Sequence, residues 1–130
     1  MTTVGTQLPE LRIEATPTFV VSSALATRDF QDVHHDRDAA QSRGSADIFV
    51  NILTDTGLVQ RFITDWAGPS AVIKTIGLRL GVPWYAYDTV TFNGEVTAVD
   101  DGLITLKIVG SNSLGDHVIA NATLTIGGAA

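Results

Sequence analysis

Asp29 and His34 are two acid/base side chains five residues apart in the stretch Thr27-Arg28-Asp29-Phe30-Gln31-Asp32-Val33-His34-His35-Asp36. An offset of five sets side chains about 140° apart on a helix and on opposite faces of a strand. The two therefore converge only if the chain between them curves as a loop. Such a loop can bring a carboxylate and an imidazole onto one water molecule and run general acid–base chemistry with neither metal nor cofactor. The same stretch admits a metal reading, because His35, Asp32, Asp36 and Asp38 are of types that ligate divalent ions. Sequence neighbours point apart, however, and no further His or Cys cluster completes a closed shell. No metal is expected, and His35 stands beside His34 as the alternative base, its side chain expected to point elsewhere.

The elements that must position this loop are legible from periodicity. Met1 to Pro9 reads as a loose arm, and the alternation Leu11-Arg12-Ile13-Glu14 reads as a short strand interrupted by Pro17. The apolar run Phe19 to Ala26 delivers the chain to Asp29 but is too short for periodicity to separate strand from helix. Asp36 can cap a short helix running through Arg43, which Gly44 ends in a left-handed conformation. Asp47 to Trp66 is the clearest helical region, with Ile52, Thr56, Val59, Phe62, Ile63 and Trp66 on one apolar face, Asn51 as N-cap and Gly68-Pro69 as the stop. Its first turn presents backbone N–H groups that can face a developing negative charge.

Beyond Ser70 the chain reads as strands. Ile76, Leu78, Leu80 and Val82 alternate, as do Val90, Phe92, Gly94, Val96 and Ala98, and later Val118, Ala120, Ala122, Leu124 and Ile126. Asp100-Asp101-Gly102 and Asn112 to Asp116 carry the residues hairpin turns use, so the last three long strands are expected to form an antiparallel meander. A helix followed by a curling antiparallel sheet is an α+β arrangement in one domain spanning residues 1–130, with 127–130 a frayed tail. Trp66, Trp84, Tyr85 and Tyr87 read as core or interface aromatics, Gly110 and Gly115 as strand-end or turn glycines, and His117 as structural. Lys74 and Arg79 read as solvated.

With 130 residues the chain can bury roughly two-thirds of its unfolded surface. At 45% hydrophobic against 17% charged residues it carries more apolar surface than a small monomer hides, so a subunit interface is expected. A net charge of −6 with eight basic residues argues against nucleic acid, whose binding rests on Lys and Arg contacts to phosphate. No stretch approaches a membrane span of about 20 apolar residues, the first ten residues lack a secretory pattern, and the absence of Cys fits a reducing cytoplasm.

These residues resemble the MaoC-like (R)-specific enoyl-CoA hydratases and dehydratases of the hotdog fold. That family's Asp-x-Asn-Pro-x-His-x-Asp signature, with a small residue four positions later, reads here Asp29-Phe30-Gln31-Asp32-Val33-His34-His35-Asp36 with Ala40. The helix Ile52 to Trp66 is similar too, as is Val82-Pro83-Trp84-Tyr85-Ala86-Tyr87-Asp88-Thr89-Val90, beside the family's Pro-x-x-x-Gly-Asp-Thr-Val turn. Within the family the chain is most similar to the small hydratase subunits of actinobacterial steroid (cholesterol) side-chain degradation, which work beside a second MaoC-like subunit. Gln31-Asp32 replaces Asn-Pro, so other hydrogen bonds must fix the turn. Val50-Asn51 replaces the family's His-Gly ahead of the central helix, which puts the oxyanion-holding amide at the Asn51 N–H without glycine's close approach.

The resemblance implies an antiparallel sheet wrapped around one helix and addition of water across the 2,3 double bond of an enoyl-CoA thioester. His34 would take a proton from the water as it attacks C3, Asp29 would position that water and help route a proton to C2, and the Asn51 N–H would hold the thioester oxygen. No cofactor is implied beyond the coenzyme A that the substrate carries. The implied partner is a second MaoC-like hotdog subunit, or otherwise a second copy of this chain. Protonation disables an imidazole base, so activity is expected to fall on the acid side of neutrality. A non-catalytic hotdog partner and a hotdog acyl-CoA thioesterase are the competing readings.

Overall fold

The computed structural model describes residues 2–127. In chain order they form β1 (Gln7–Glu14), α1 (Pro17–Ala26), a 3₁₀ turn (Asp32–His34), α2 (Arg37–Ser42), α3 (Ile52–Ala67), β2 (Ala71–Leu80), β3 (Thr89–Asp100), β4 (Leu103–Asn112) and β5 (Gly115–Ile126). The strands make one sheet in the order β1-β3-β4-β5-β2, every neighbouring pair antiparallel. The expected meander is β3-β4-β5, its turns at Asp101-Gly102 and Ser113-Leu114. Helix α3 touches β1 at one edge of the sheet and β2 at the other, so the sheet curls around it.

Period-two alternation puts Val90, Phe92, Gly94 and Val96 of β3, Ile104, Leu106, Ile108 and Gly110 of β4, and Val118, Ala120, Ala122 and Leu124 of β5 on the buried face. Small residues on that face make room for the helix. A Cβ at Gly94 would lie 2.8 Å from Phe62 Cε2 of α3, whereas one at Gly110 would crowd its neighbours within the sheet, 2.8 Å from the Val118 side chain. Gly110 is thus an interior strand residue facing the core, where the turn reading placed it at a strand end. A register shift between Val96 and Ala98 breaks the alternation, which explains why Ala98 and Val99 face outward.

Several expectations need correction. The arm through Pro9 is not loose: Gln7 to Pro9 belong to β1, Leu8 is buried, and Gln7 and Leu8 pair with Glu95 and Gly94. Pro17 does not interrupt a strand but opens α1 at its first turn, where its missing N–H costs nothing, behind the Thr16 cap. The ambiguous run after it is that helix. Asn51 caps α3 as expected, so the helical region starts at Ile52 and not at Asp47, and its buried face is Thr54, Asp55, Leu58, Val59, Phe62 and Ile63, while Ile52 is exposed. Tyr87 stands out from the surface with φ of 74°, whereas Trp84 is fully buried and donates its indole N–H to the Asp88 carbonyl at 2.9 Å. β2 ends at Leu80, so Val82 lies outside it. Gly127 donates its N–H to the Ser70 carbonyl, and the rest of the expected frayed tail lies outside the described residues.

One buried polar pair ties the layers together. His117 Nδ1 lies 2.6 Å from the Val82 carbonyl, which can only accept, so Nδ1 carries a proton. Nε2 lies 2.9 and 3.0 Å from the two Asp55 oxygens, and a bond there requires a further proton, shared between ring and carboxyl. Burial pushes the Asp55 carboxyl up, past the opposing pull of His117. Burial would lower His117, but the Asp55 bond and charge and the Val82 carbonyl raise it. Both raised values have the same sign: the folded chain keeps protons that the unfolded chain releases. The stability the His117 shift contributes is complete below the unfolded imidazole value of 6.5 and is lost as pH rises through the raised folded value. Denaturant midpoints are therefore expected to fall steadily on the alkaline side of 6.5, measured by urea titration across that range.

Candidate functional site

Helix α1 ends at the Thr27 cap, and Arg28 follows with φ of 58°. A left-handed residue is the usual way to stop a helix, and here an arginine takes the position where glycine is favoured. Arg28 N–H donates to Leu25 O and Asp29 N–H to Ala24 O, which reverses the chain and lifts Asp29 off the helix end. Asp29 Oδ1 then accepts the Gln31 N–H at 3.2 Å, a short side-chain-to-backbone turn. The 3₁₀ turn Asp32–His34 carries the chain back and returns His34 toward Asp29.

Other bonds do what the missing Asn-Pro would have done. Asp32 accepts from Arg43 Nε at 2.9 Å and from Nη2 at 3.0 Å, anchoring the loop to the end of α2. His35 Nε2 lies 2.6 Å from the Asp29 backbone carbonyl and donates to it, so this ring nitrogen is occupied in holding the loop. Asp36 caps α2 by accepting from the Ala39 N–H. Of the residues considered as metal ligands, His35, Asp32 and Asp36 thus bond within the loop and α2, whereas Asp38 lies exposed on α2, and Ala40 is fully buried.

His34 is buried, and its Nδ1 lies 2.7 Å from the Phe49 carbonyl. Because that oxygen can only accept, Nδ1 carries the proton of the neutral ring and Nε2 keeps its lone pair. Nε2 faces Asp29 Oδ2 at 3.4 Å. That separation is long for a direct bond, so a water can be gripped by both groups. The Phe49 carbonyl is held in turn by the segment Trp84 to Ala86: Val50 N–H donates to Trp84 O, and Ala86 N–H to Ile48 O. Phe49 also packs edge-on against the His34 ring at 4.8 Å between centroids.

Asn51 closes the site from the other side. Its Nδ2 donates to Thr27 Oγ1 at 2.9 Å and to Asp29 Oδ2 at 3.1 Å, while its Oδ1 accepts from the Thr54 N–H and hydroxyl. Partial burial pushes the Asp29 carboxyl up, but the Asn51 amide, the Gln31 N–H and the nearby His34 and His35 rings outweigh it and hold the carboxyl below its usual range. Among the described residues the Asn51 backbone N–H donates to no acceptor, and it sits at the N-terminus of a sixteen-residue helix. Leu25, Phe30, Ile52 and Leu53, on the elements that bear these groups, are all exposed apolar side chains.

Asp29, His34 and Asn51, the three positions singled out in the sequence, are therefore brought together. The sequence reading missed the side chain of Asn51, which it took only as a helix cap, and it missed Thr27 and Thr54. A polar N-cap looks the same in sequence whether its spare amide hydrogens face solvent or a carboxylate. Asp55 was missed for a different reason, since its partner His117 is 62 residues away.

No family model matches the chain. It is 75% identical over 126 residues to the 3-oxo-4,17-pregnadiene-20-carboxyl-CoA hydratase beta subunit of Mycobacterium tuberculosis, an alignment covering 97% of this chain and 98% of that one. Among solved structures it superposes on a chain of the ChsH1-ChsH2 complex from Mycobacterium tuberculosis with a TM-score of 0.96 and 75% identity, covering 98% of this chain and all of that one. The (R)-hydratase from A. caviae involved in PHA biosynthesis shares the fold, with a TM-score of 0.88 at 21% identity over 96% of this chain and 97% of the other.

Proposed function

Because the chain belongs to the MaoC-like hydratase family, in the branch of the 3-oxo-4,17-pregnadiene-20-carboxyl-CoA hydratase beta subunits, we propose that it is the water-activating subunit of a two-subunit enoyl-CoA hydratase acting on a steroid side-chain thioester. The observation that carries this reading is the fixed His34 tautomer, with its free Nε2 turned toward the Asp29 carboxylate.

A water gripped by both groups loses a proton to His34 Nε2 as its oxygen bonds to C3 of the enoyl thioester. The C2=C3 electron pair moves toward the thioester oxygen, where the Asn51 N–H and the positive end of α3 stabilise the growing enolate charge. The proton taken by His34 is then passed by way of Asp29 to C2 as the enolate collapses, which returns His34 to its neutral form, and the 3-hydroxyacyl thioester leaves. Coenzyme A enters as part of the substrate, and the reaction needs no other cofactor and no metal. The exposed Leu25, Phe30, Ile52 and Leu53 around the pair suit contact with the apolar acyl group and with a second MaoC-like subunit, as in the complex named above. No helix among the described residues is long and apolar enough to cross a membrane, and the cysteine-free chain suits work in the cytoplasm.

The test is an assay of the chain co-purified with its partner subunit on a steroid side-chain 2-enoyl-CoA. Loss of the conjugated thioester absorbance without release of free thiol is the expected result. Thiol release would mark a thioesterase, and undiminished activity in a complex whose Asp29 and His34 are both replaced would mark a non-catalytic subunit.

A further inference from the structure

The carboxamide of Asn51 has each hydrogen-bonding position occupied. Both Nδ2 hydrogens are donated, one to Thr27 Oγ1 and one to Asp29 Oδ2, and both Oδ1 lone pairs accept from Thr54. The assignment of its oxygen and nitrogen is forced, because a backbone N–H can only donate and a carboxylate can only accept. Thr27 joins in as an acceptor because its own hydroxyl proton goes back to the Ser23 and Ala24 carbonyls of α1. The residue is 3% exposed, so water does not substitute for any of these partners. One side chain therefore links the end of α1, the acid–base loop and the start of α3. It grips the same Asp29 oxygen that faces His34 Nε2.

We propose that the Asn51 side chain is a positioning residue for the hydration reaction, fixing the Asp29 carboxylate in register with His34 while its own backbone N–H faces the thioester oxygen. The inference rests on the hydratase reading for its kinetic consequence but not for the contact itself. Glycine at this position would keep the N–H and release the carboxylate; asparagine ties the two halves of the site together through one residue. The titratable groups acting on Asp29 are His34 and His35 of its own loop, whereas α1 and α3 contribute the uncharged Thr27 and Asn51.

The experiment compares wild type, Asn51→Gly and Asn51→Asp, each as the complex with its partner subunit. Glycine is only a few tenths of a kcal/mol poorer than asparagine as an N-cap, so α3 should survive its introduction. The Asn51→Asp variant keeps an oxygen for the Thr54 N–H and serves if the glycine variant does not fold. A carbon-13 titration of the Asp29 carboxyl should show its midpoint moving up in either variant, most in Asn51→Asp, where two carboxylates then face each other. Steady-state hydration should show kcat falling about 10- to 10²-fold, the scale of a misplaced catalytic group, with KM nearly unchanged in Asn51→Gly. A carboxyl titration identical to wild type would overturn the positioning role. A shifted titration with no measurable hydration in wild type would leave the contact standing and overturn the hydratase reading instead.

Discussion

Asp29→Asn lowers kcat/KM for enoyl-CoA hydration by about 10²–10⁴-fold, the usual contribution of a positioned acid–base group, while leaving the fold in place. The amide has the shape of the carboxylate, yet it has only one accepting oxygen. At this site both oxygens are called on to accept, Oδ1 from the Gln31 N–H and Oδ2 from Asn51 Nδ2. An asparagine at 29 satisfies one of them and aims N–H at the other, and in either orientation the negative charge that polarises the water is gone. Because the Asp29 side chain is 22% exposed, water relieves most of the structural mismatch, so the melting temperature should change far less than the rate. His34→Gln should be equally damaging, since glutamine can supply the donor the Phe49 carbonyl expects but no base. Retention of more than a tenth of the wild-type rate in either variant, measured by loss of the enoyl thioester absorbance, would remove that residue from the mechanism.

The largest effect on stability is expected at the other carboxylate–imidazole pair. His117→Ala should cost about 3–5 kcal/mol, the range for removing one partner of a buried ion pair and stranding the other. Asp55 is fully buried and its two oxygens lie on one ring nitrogen, so no solvent reaches the orphaned carboxyl. The ring also fills space beside Trp84, 5.5 Å away between centroids, so a cavity adds to the penalty. A loss of this size is a large part of the 5–15 kcal/mol that usually separates folded from unfolded. Asp55→Asn is the informative control. With Nδ1–H still on the Val82 carbonyl, a neutral His117 can accept from the asparagine amide at Nε2, so most of the stability should return. With no shared proton left to lose, the fall in urea midpoint above pH 6.5 should flatten. A variant as alkali-sensitive as wild type would show that the pair is not its cause.

The two pairs use the same residue types and explain what could be read from the chain. Asp29 and His34 lie within one loop, so their offset of five, with a helix pattern behind it, was enough to suggest convergence. The helix N-cap at Asn51 and the strand alternation from Val90 to Leu124 were legible for the same reason, being local patterns of period 3.6 and 2. What escaped was non-local or depended on direction. Asp55 sits among apolar residues on α3 and its role appears only once β5 is laid against the helix. Val59, Phe62 and Ile63 of α3 were legible as core, but at its first turn Ile52 is exposed and the polar Thr54 and Asp55 are buried instead, where they bond Asn51 and His117. β1 looked shorter than it is because Pro9 lies within a strand that has a register shift between Leu8 and Leu11, at the sheet edge where proline is tolerated. The exposed apolar residues Leu25, Phe30, Ile52 and Leu53 were invisible as a group, since they come from three elements.

Hydration by this chain requires a single water shared by Asp29 and His34 beside the Asn51 N–H, and the most direct measurement is a crystal structure of the two-subunit complex with its 3-hydroxyacyl-CoA product bound. The C3 hydroxyl oxygen, which was that water, should lie about 2.6–3.2 Å from both Asp29 Oδ2 and His34 Nε2, with the thioester oxygen on the Asn51 N–H. A hydroxyl held by the partner subunit, or by only one of the two side chains, would contradict it.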